Sequence, residues 1–252
     1  MITQHINKPL VAQKFEASMK TYVKEASVQQ NIAHTLFRLL DKVPFTSERI
    51  LEIGCGTGFL SKKISTLPYR TLYLNDLVPA AVSYCQHIYQ DALPLPGDIE
   101  QEVTLPEHLD LILSSSALQW IEDLPTFLQK IHTQLKTGGT FAFSTFGPMN
   151  MQEIKTLTGK GLHYWDMEGL TALLETEFEI CLAQEEILSK TFSNPIEVLK
   201  HIKKTGVGGT ANERWGKQDL LHFQEEYNRQ FKNKNQEVIL TYHPIYIIVK
   251  KK

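Results

Sequence analysis

Closely spaced glycines follow a short apolar segment in the first quarter of the chain. The run Glu52-Ile53-Gly54-Cys55-Gly56-Thr57-Gly58 comes at the end of the apolar segment 49–53, and helical periodicity resumes over 59–67. A strand that ends in glycines and opens a helix lets backbone N–H groups approach a ligand closely. The spacing differs from the G-x-G-x-x-G of dinucleotide sites. A nucleotide loop and a purely structural turn nevertheless stay open as alternatives.

The acid before the glycines makes the pattern more specific. The E-x-G-x-G-x-G arrangement resembles motif I of class I S-adenosylmethionine-dependent methyltransferases. That resemblance implies a cofactor site at Glu52, Gly54, Cys55, Gly56 and Gly58. A sulfonium cation with an amino-acid tail needs no pyrophosphate cradle, and nearby carboxylate and carbonyl oxygens stabilise it.

Two further acids stand after predicted strands. Asp76, with Leu77 beside it, follows the apolar segment 71–74, where a carboxylate can accept hydrogen bonds from both ribose hydroxyls. Asp98 is part of Gly97-Asp98-Ile99-Glu100, where its carboxylate could accept from the adenine amino group while Ile99 packs on the ring. A capping or turn aspartate is the alternative at Asp76, and an ordinary Gly-Asp turn is the alternative at Asp98.

The order of the elements predicts the fold and brings two more residues to the site. Strands at 49–53, 71–74, 109–113 and 140–145 alternate with helices at 59–67, 79–89 and 124–135, which indicates an α/β chain with a Rossmann-like, doubly wound, mostly parallel sheet. Ser114 and Ser115 end the third of these strands, at the carboxyl edge where open α/β sheets bind ligands.

The flanking segments complete a single predicted domain, 1–252. Helical periodicity over 14–40 predicts a long helix in an N-terminal lid, 1–45, and 46–147 is the predicted cofactor-binding core. Residues 148–252 are expected to supply substrate-side helices, inserted before terminal strands. The β-rich segment 238–249 contains Pro244, which predicts an edge, a bulge or a bend there.

Composition excludes several classes of protein. The net charge of −2 gives no signal for nucleic acid, and no apolar run approaches the length of a membrane span. The N-terminus lacks the pattern of a secretory signal. Cys55, Cys85 and Cys181 are far apart in sequence, which argues against a disulfide framework and against a metal site. We therefore expect a cytoplasmic protein without metal, nucleic acid or membrane as partner.

Several runs spread along the chain carry a more specific resemblance. They resemble the malonyl-acyl carrier protein O-methyltransferase family of biotin synthesis, and they are Phe15-x-x-x-Met19-x-x-Tyr22, Gly97-Asp98-Ile99-Glu100, Ser114-Ser115-Ser116-Ala117-Leu118-Gln119-Trp120, Phe143-Ser144-Thr145-Phe146-Gly147, Leu199-Lys200-x-Ile202-Lys203-x-x-Gly206 and Leu240-Thr241-Tyr242-His243. The family commonly has Ser-Asn at positions 114–115. The resemblance implies S-adenosylmethionine as cofactor, S-adenosylhomocysteine as product and methylation of the free carboxylate of a malonyl thioester.

This chemistry needs positioning groups rather than a general base, because the malonyl carboxylate is already ionised at pH 7. The candidates on the acceptor side are Tyr22, Gln119, Trp120, Arg214 and His243. Tyr22 lies on the helix that forms a lid in related enzymes. The alternative for Tyr22 and for Trp120 is an aromatic side chain packed in the core. The alternative for Arg214 is a solvated surface charge, and the alternative for His243 is a structural histidine.

The family also implies a partner, an acidic acyl carrier protein that bears malonyl-phosphopantetheine. The candidate docking cations cluster around a glycine-rich break and are Lys200, Lys203, Lys204, Arg214 and Lys217. A solvated helix face is the alternative, and we expect a monomer. Two other functions stay open, namely methylation of another small carboxylate or hydroxyl and a non-catalytic S-adenosylmethionine-binding protein.

Overall fold

The computed structural model describes residues 5–206 and 216–252, and its centre is a seven-stranded sheet. The strands are β1 Arg49–Ile53, β2 Thr71–Asp76, β3 Leu93–Pro96, β4 Leu109–Ser115, β5 Leu135–Phe146, β6 Phe178–Glu185, β7 Leu188–Phe192, β8 Val238–Tyr242 and β9 Pro244–Lys251. The sheet order is β3-β2-β1-β4-β5-β9-β6, and β7 pairs with β8 in a separate two-stranded sheet.

Parallel pairing dominates the half of the sheet that carries the glycine loop. Strands β3, β2, β1, β4 and β5 are parallel to their neighbours, and β9 is antiparallel to both β5 and β6. The chain order reverses between β1 and β4, which is where open α/β sheets bind ligands. The predicted α/β, Rossmann-like, mostly parallel fold is confirmed.

Helices cover both faces of this sheet. They are α1 Lys8–Glu25, α2 Ser27–Leu40, α3 Ser61–Ile64, α4 Pro79–Ile88, α5 Leu124–Gln134, α6 Gln152–Thr158, α7 Met167–Leu174, α8 Pro195–Lys204 and α9 Lys217–Phe231, with a 3-10 turn at Leu118–Trp120. Helices α8 and α9 lie in the chain between β7 and β8, as the predicted helical insertion before the last strands. Among the described helices, none is long and apolar enough to cross a membrane.

The hydrophobic core forms one layer on each side of the sheet. Side chains of β9 alternate between the layers, with Ile245, Ile247 and Val249 in one and Tyr246 and Ile248 in the other. All five are fully buried. This alternation follows from the two-residue repeat of a strand that is covered on both faces.

The N-terminal helices differ from the sequence prediction. One helix was predicted over 14–40, but the chain leaves helical geometry at Ala26, where φ is −86° and ψ is 44°. Ala26 is fully buried, and its N–H donates to the carbonyl of Tyr22. The break separates α1, which lies over the glycine loop, from α2, which packs Ile32 and Leu36 into the core.

The β-rich segment 238–249 divides into two strands that belong to different sheets. His243 lies between β8 and β9, and Pro244 is the first residue of β9. A proline is tolerated as the first residue of a strand because it removes little of the ladder. Of the three predicted explanations for Pro244, the bend is confirmed.

Candidate cofactor and acceptor site

The glycine loop leaves β1 in a conformation that requires glycine. Gly54 has φ +73°, and a Cβ there would lie 2.5 Å from the Cβ of Ala117, which follows β4. The N–H groups of Gly54 and Cys55 both donate to the carbonyl of Asn75 at 2.9 Å. The turn is therefore fixed between the ends of β2 and β4.

A pocket opens above this loop. Its walls come from α1, the glycine loop, the ends of β2 and β3 and the segment after β4. Of the site residues predicted from sequence, it brings together Tyr22, Gly54, Gly56, Asp76, Leu77, Asp98, Ile99, Ser115 and Trp120. These residues come from five separate parts of the chain, so their convergence is a result of the fold.

Asp76 connects the end of β2 to the glycine loop. Its Oδ2 accepts from the N–H of Gly56 at 2.8 Å, and its Oδ1 accepts from the N–H of Val78 at 2.8 Å. Burial raises the pKa of Asp76, and the two backbone hydrogen bonds oppose that shift. Each oxygen keeps a lone pair with which it can accept a ligand hydroxyl.

Lys8 covers the acids of the loop that follows β3. Its ammonium donates to Oδ2 of Asp98 at 2.7 Å and also forms an ion pair with Glu100. Only about a tenth of each of these three side chains is exposed. The partners raise the pKa of Lys8 although burial, the largest single contribution, opposes them. Lys8 was not predicted as a site residue, because a lone lysine near the chain start belongs to no motif.

Aromatic rings on α1 close the pocket from above. Tyr22 stacks on Phe59 with ring centroids 5.8 Å apart, and Phe15 meets Trp120 edge-to-face at 5.8 Å. Burial, with a smaller contribution from the charge of Asp76, raises the pKa of the Tyr22 phenol. Tyr22 is therefore a neutral hydrogen-bonding group at physiological pH.

Three buried polar atoms of the pocket residues lack a hydrogen-bond partner among the described residues. They are Thr57 Oγ1, Ser116 Oγ and Trp120 Nε1. Buried polar groups are nearly always paired, and each one left unpaired costs free energy. Together with the carboxylates of Asp76 and Asp98, these atoms suit a polar ligand with hydroxyl, amine and carboxylate groups. S-adenosylmethionine has all three.

Some predicted cofactor residues are not among the described residues that line the pocket. They stabilise the glycine loop that forms its wall. Glu52 is buried and accepts from Ser61 Oγ at 2.5 Å, and burial raises its pKa well above the ordinary value. The Ser114 hydroxyl donates to the carbonyl of Ile53 at 3.0 Å. Cys55 and Gly58 are likewise buried within the loop. These residues fix the shape of the glycine turn.

The predicted acceptor-side residues are divided among several places. Gln119 lies beside a second, small cavity, and its Nε2 donates to the carbonyl of Ser116 at 2.6 Å. This cavity also has Leu118 and Ile121 in its wall, which it shares with the first pocket. Arg214 lies outside the described residues.

His243 is placed away from both of these cavities. Its Nε2 lies 3.0 Å from Glu185 Oε2, and its Nδ1 accepts from the N–H of Met149 at 3.3 Å. The ring also packs on Gly147, where a Cβ would approach it to 2.5 Å. His243 thus holds the turn after β5, which is the structural alternative for this residue.

Within the described residues, no cluster of three potential ligands is placed to hold a metal ion.

Comparison with known proteins agrees with this geometry. A family model described as "Methyltransferase domain" matches residues 51–143. The malonyl-[acyl-carrier protein] O-methyltransferase of Bacteroides thetaiotaomicron is 41% identical over 98% of this chain and 99% of its own length. The enzyme of the same name from Acinetobacter baylyi is 40% identical over 98% of both chains.

This chain belongs to the malonyl-[acyl-carrier protein] O-methyltransferase family. The resemblance inferred from the sequence motifs is therefore confirmed. Among solved structures, an S-adenosylmethionine-dependent methyltransferase of Mesorhizobium loti superposes with a TM-score of 0.54 and 16% identity, covering 85% of this chain and 96% of that one. At that identity the likeness shows the fold alone. Membership of the malonyl-[acyl-carrier protein] O-methyltransferase family therefore rests on the sequence relatives, and the fold agrees with the solved structure.

Proposed function

We propose that the chain transfers the methyl group of S-adenosylmethionine to the free carboxylate of malonyl-acyl carrier protein, giving the methyl ester and S-adenosylhomocysteine. The observation that carries this proposal is the identity of 41% with a relative of that name over 98% of the chain, which includes the half beyond β5. Esterification removes the charge of the malonyl end. The product could then enter the apolar channels of fatty-acid elongation, as an early step of pimeloyl and biotin synthesis.

The pocket offers a partner to each part of the cofactor. Asp76 is the proposed acceptor for the ribose hydroxyls, and Asp98 with Ile99 borders the proposed adenine position. Gly54 and Gly56 let the amino-acid end approach the backbone closely. When bound, S-adenosylmethionine supplies a sulfonium methyl group, whose bond to sulfur breaks as the bond to a carboxylate oxygen forms.

The residues around the acceptor are proposed to orient it and to exclude water. Tyr22, held as a neutral phenol, closes the pocket from α1 together with Phe15. Trp120 presents an indole N–H, and Gln119 fixes the carbonyl of Ser116 from behind. Holding two reactants in line and apart from water lowers the barrier without proton transfer. Arg214 remains a proposed contact of the malonyl carboxylate.

The proposed partner is an acyl carrier protein. The ion pairs of α8 indicate which of the candidate lysines are already bound to a carboxylate of this chain. Lys200 is paired with Glu197 at 2.7 Å, and Lys204 is paired with Glu25 of α1 at 2.7 Å. Lys203 and Lys217 are exposed. We therefore place the docking charge at Lys203 and Lys217, and we propose that the chain acts as a cytoplasmic monomer without nucleic acid or membrane.

The direct test is transfer of a radiolabelled methyl group from S-adenosylmethionine. The expected result is base-labile label on malonyl-acyl carrier protein and none on acetyl-acyl carrier protein, which lacks the free carboxylate. Malonyl-coenzyme A, assayed beside it, reports whether the carrier protein is required. An Asp76→Asn variant is the matched control for dependence on the cofactor pocket, and it should lose most of the transfer.

The other outcomes identify the alternatives. Label on a different small carboxylate or hydroxyl, with none on malonyl thioesters, would contradict the proposed acceptor while keeping the enzyme class. Binding of S-adenosylhomocysteine without any transfer would indicate a non-catalytic binding protein. Methylation of malonyl-acyl carrier protein is favoured over these two alternatives, because the similarity to the named relatives extends across the substrate-side half of the chain.

A further inference from the structure

Ser116 has a strained backbone at the edge of the cofactor pocket. It follows β4 with φ +55°, a left-handed conformation that a residue with a Cβ rarely adopts. Its N–H donates to the carbonyl of Ser144 at 3.0 Å, and its carbonyl accepts from Gln119 Nε2 at 2.6 Å. Both backbone groups are therefore held, and strain of this kind is concentrated at functional sites.

The hydroxyl of Ser116 is the one polar group of this residue that has no partner among the described residues. It is buried on a residue that lines the pocket. The indole Nε1 of Trp120, four residues further along, is also buried and has no hydrogen-bond partner among the described residues. The Trp120 ring packs at a right angle to the ring of Phe15, with centroids 5.8 Å apart. Two hydrogen-bonding groups are thus buried and unused in one wall.

This wall borders the glycine loop. Ala117 follows Ser116 directly in sequence. A Cβ added to Gly54 would lie only 2.5 Å from the Cβ of Ala117, so Ala117 packs against the glycine loop. A ligand group bound by Ser116 and Trp120 therefore lies near the turn at which the amino-acid end of the cofactor is proposed to bind. The indole N–H can only donate, so the bound atom has to be an acceptor.

The charges of the lining residues indicate how the pocket can bind an anionic ligand group. Among the described lining residues, Lys8 is the cation, and its ammonium is bound to Asp98 and Glu100. This part of the pocket therefore offers an anion neutral donors. Neutral donors orient the oxygens of a carboxylate, and the proposed contact of Arg214 would add to this pair, since each carboxylate oxygen has more than one lone pair.

We propose that Ser116 Oγ and Trp120 Nε1 form a pair of neutral donors that holds the carboxylate of the acceptor. This inference rests on the proposed function and adds to it a specificity-determining residue, Ser116, outside the cofactor motifs. The pair recognises a carboxylate at the end of the acyl group. It gives no advantage to an acyl chain that ends in a methyl group.

The test compares variants that remove the hydroxyl in two different ways. Ser116→Ala keeps the strained backbone, whereas Ser116→Gly relieves it, so the melting temperature of the glycine variant should equal or exceed that of wild type. Both variants should raise the KM for malonyl-acyl carrier protein by about tenfold or more, the usual loss for a hydrogen bond to a charged group. Trp120→Phe should do the same. The Kd for S-adenosylhomocysteine should change by less than about twofold in all three.

Thr57→Val is the matched control, since it deletes the other unpartnered hydroxyl among the described pocket residues, which lies in the glycine loop. It should weaken S-adenosylhomocysteine binding and leave the KM for the malonyl substrate nearly unchanged. An unchanged malonyl KM in both Ser116 variants would overturn the proposal. So would a loss of S-adenosylhomocysteine affinity in them, which would assign the pair to the cofactor's own carboxylate. Failure of the proposed function is distinguishable, because wild type itself would then leave malonyl-acyl carrier protein unlabelled.

Discussion

The ammonium of Lys8 donates to Oδ2 of Asp98 at 2.7 Å, and this contact joins the first helix to the loop after β3. Glu100 completes the junction as a second partner of Lys8. Because Asp98 borders the proposed adenine position, the same carboxylate would contact both α1 and the cofactor. The helix therefore has a specific electrostatic contact with the pocket in addition to its aromatic one.

Lys8→Met should weaken cofactor binding. The substitution keeps the apolar stem of the side chain but leaves two mostly buried carboxylates without their cation, which costs on the order of 1–3 kcal/mol. We expect the Kd for S-adenosylhomocysteine to rise roughly tenfold, measured by calorimetry. Lys20→Met, at an exposed position of the same helix, is the control. Equal affinities of the two variants would show that the junction does not contribute to binding.

Gly54→Ala should abolish cofactor binding because of a clash as well as strain. A Cβ at Gly54 would lie 2.5 Å from Ala117 Cβ, so the segment after β4 would have to move. Gly138→Ala is a close control, since both glycines have φ +73° and a Cβ at Gly138 meets nothing within 4 Å. Gly138→Ala should cost about 1 kcal/mol of stability and keep its affinity for S-adenosylhomocysteine. Similar affinity losses in both variants would assign the effect to backbone strain alone.

The glycine loop and its acids were predictable because local rules determine them. Gly54, Gly56, Asp76 and Asp98 follow successive parallel strands, and a right-handed crossover brings the carboxyl ends of such strands to one edge. The alternation of strands and helices likewise determined the sheet. In these parts of the chain, short-range pattern and tertiary structure agree.

Other features depend on contacts that no local pattern contains. The break at Ala26 interrupts an unbroken helical periodicity, because α1 covers the pocket while α2 packs on the sheet. Lys8 and Asp98 are 90 residues apart in sequence and are joined only by the closed fold. His243 belongs to a motif of the family, yet its ring is bound by Glu185 and Met149, away from the cofactor pocket. Motif membership alone therefore does not distinguish a structural residue from a binding one.

Arg214→Gln tests the one acceptor-side candidate that lies outside the described residues. If the guanidinium contacts the malonyl carboxylate, the variant should raise the KM for malonyl-acyl carrier protein about tenfold or more, because a charge-assisted hydrogen bond is lost. Steady-state kinetics with saturating S-adenosylmethionine give this value. Unchanged kinetics toward the malonyl substrate would remove Arg214 from carboxylate binding.

Charge reversal at Lys203 and Lys217 tests the proposed docking surface. The double variant should raise the KM for malonyl-acyl carrier protein roughly threefold to tenfold at low salt and less at high salt, because exposed charges are screened. Malonyl-coenzyme A, which lacks the protein partner, should show no such increase. Lys42→Glu, at an exposed position after α2, is the control for a general change of charge. A KM that does not depend on salt in the double variant would exclude this surface.

Acidification should destabilise the protein through His201. Its Nε2 lies 2.7 Å from the Tyr242 hydroxyl in the core, and burial, with a smaller contribution from Lys190, lowers its pKa to about 4 from the ordinary 6.5. As the pH falls below about 6.5, the unfolded chain binds a proton that the folded protein does not bind until about pH 4. The free energy of unfolding should therefore fall by roughly 3 kcal/mol across this window. Denaturant titrations of wild type and His201→Gln should show a steeper pH dependence in wild type, with the exposed His34→Gln as control. Parallel curves for wild type and His201→Gln would show that this histidine does not control the acid stability.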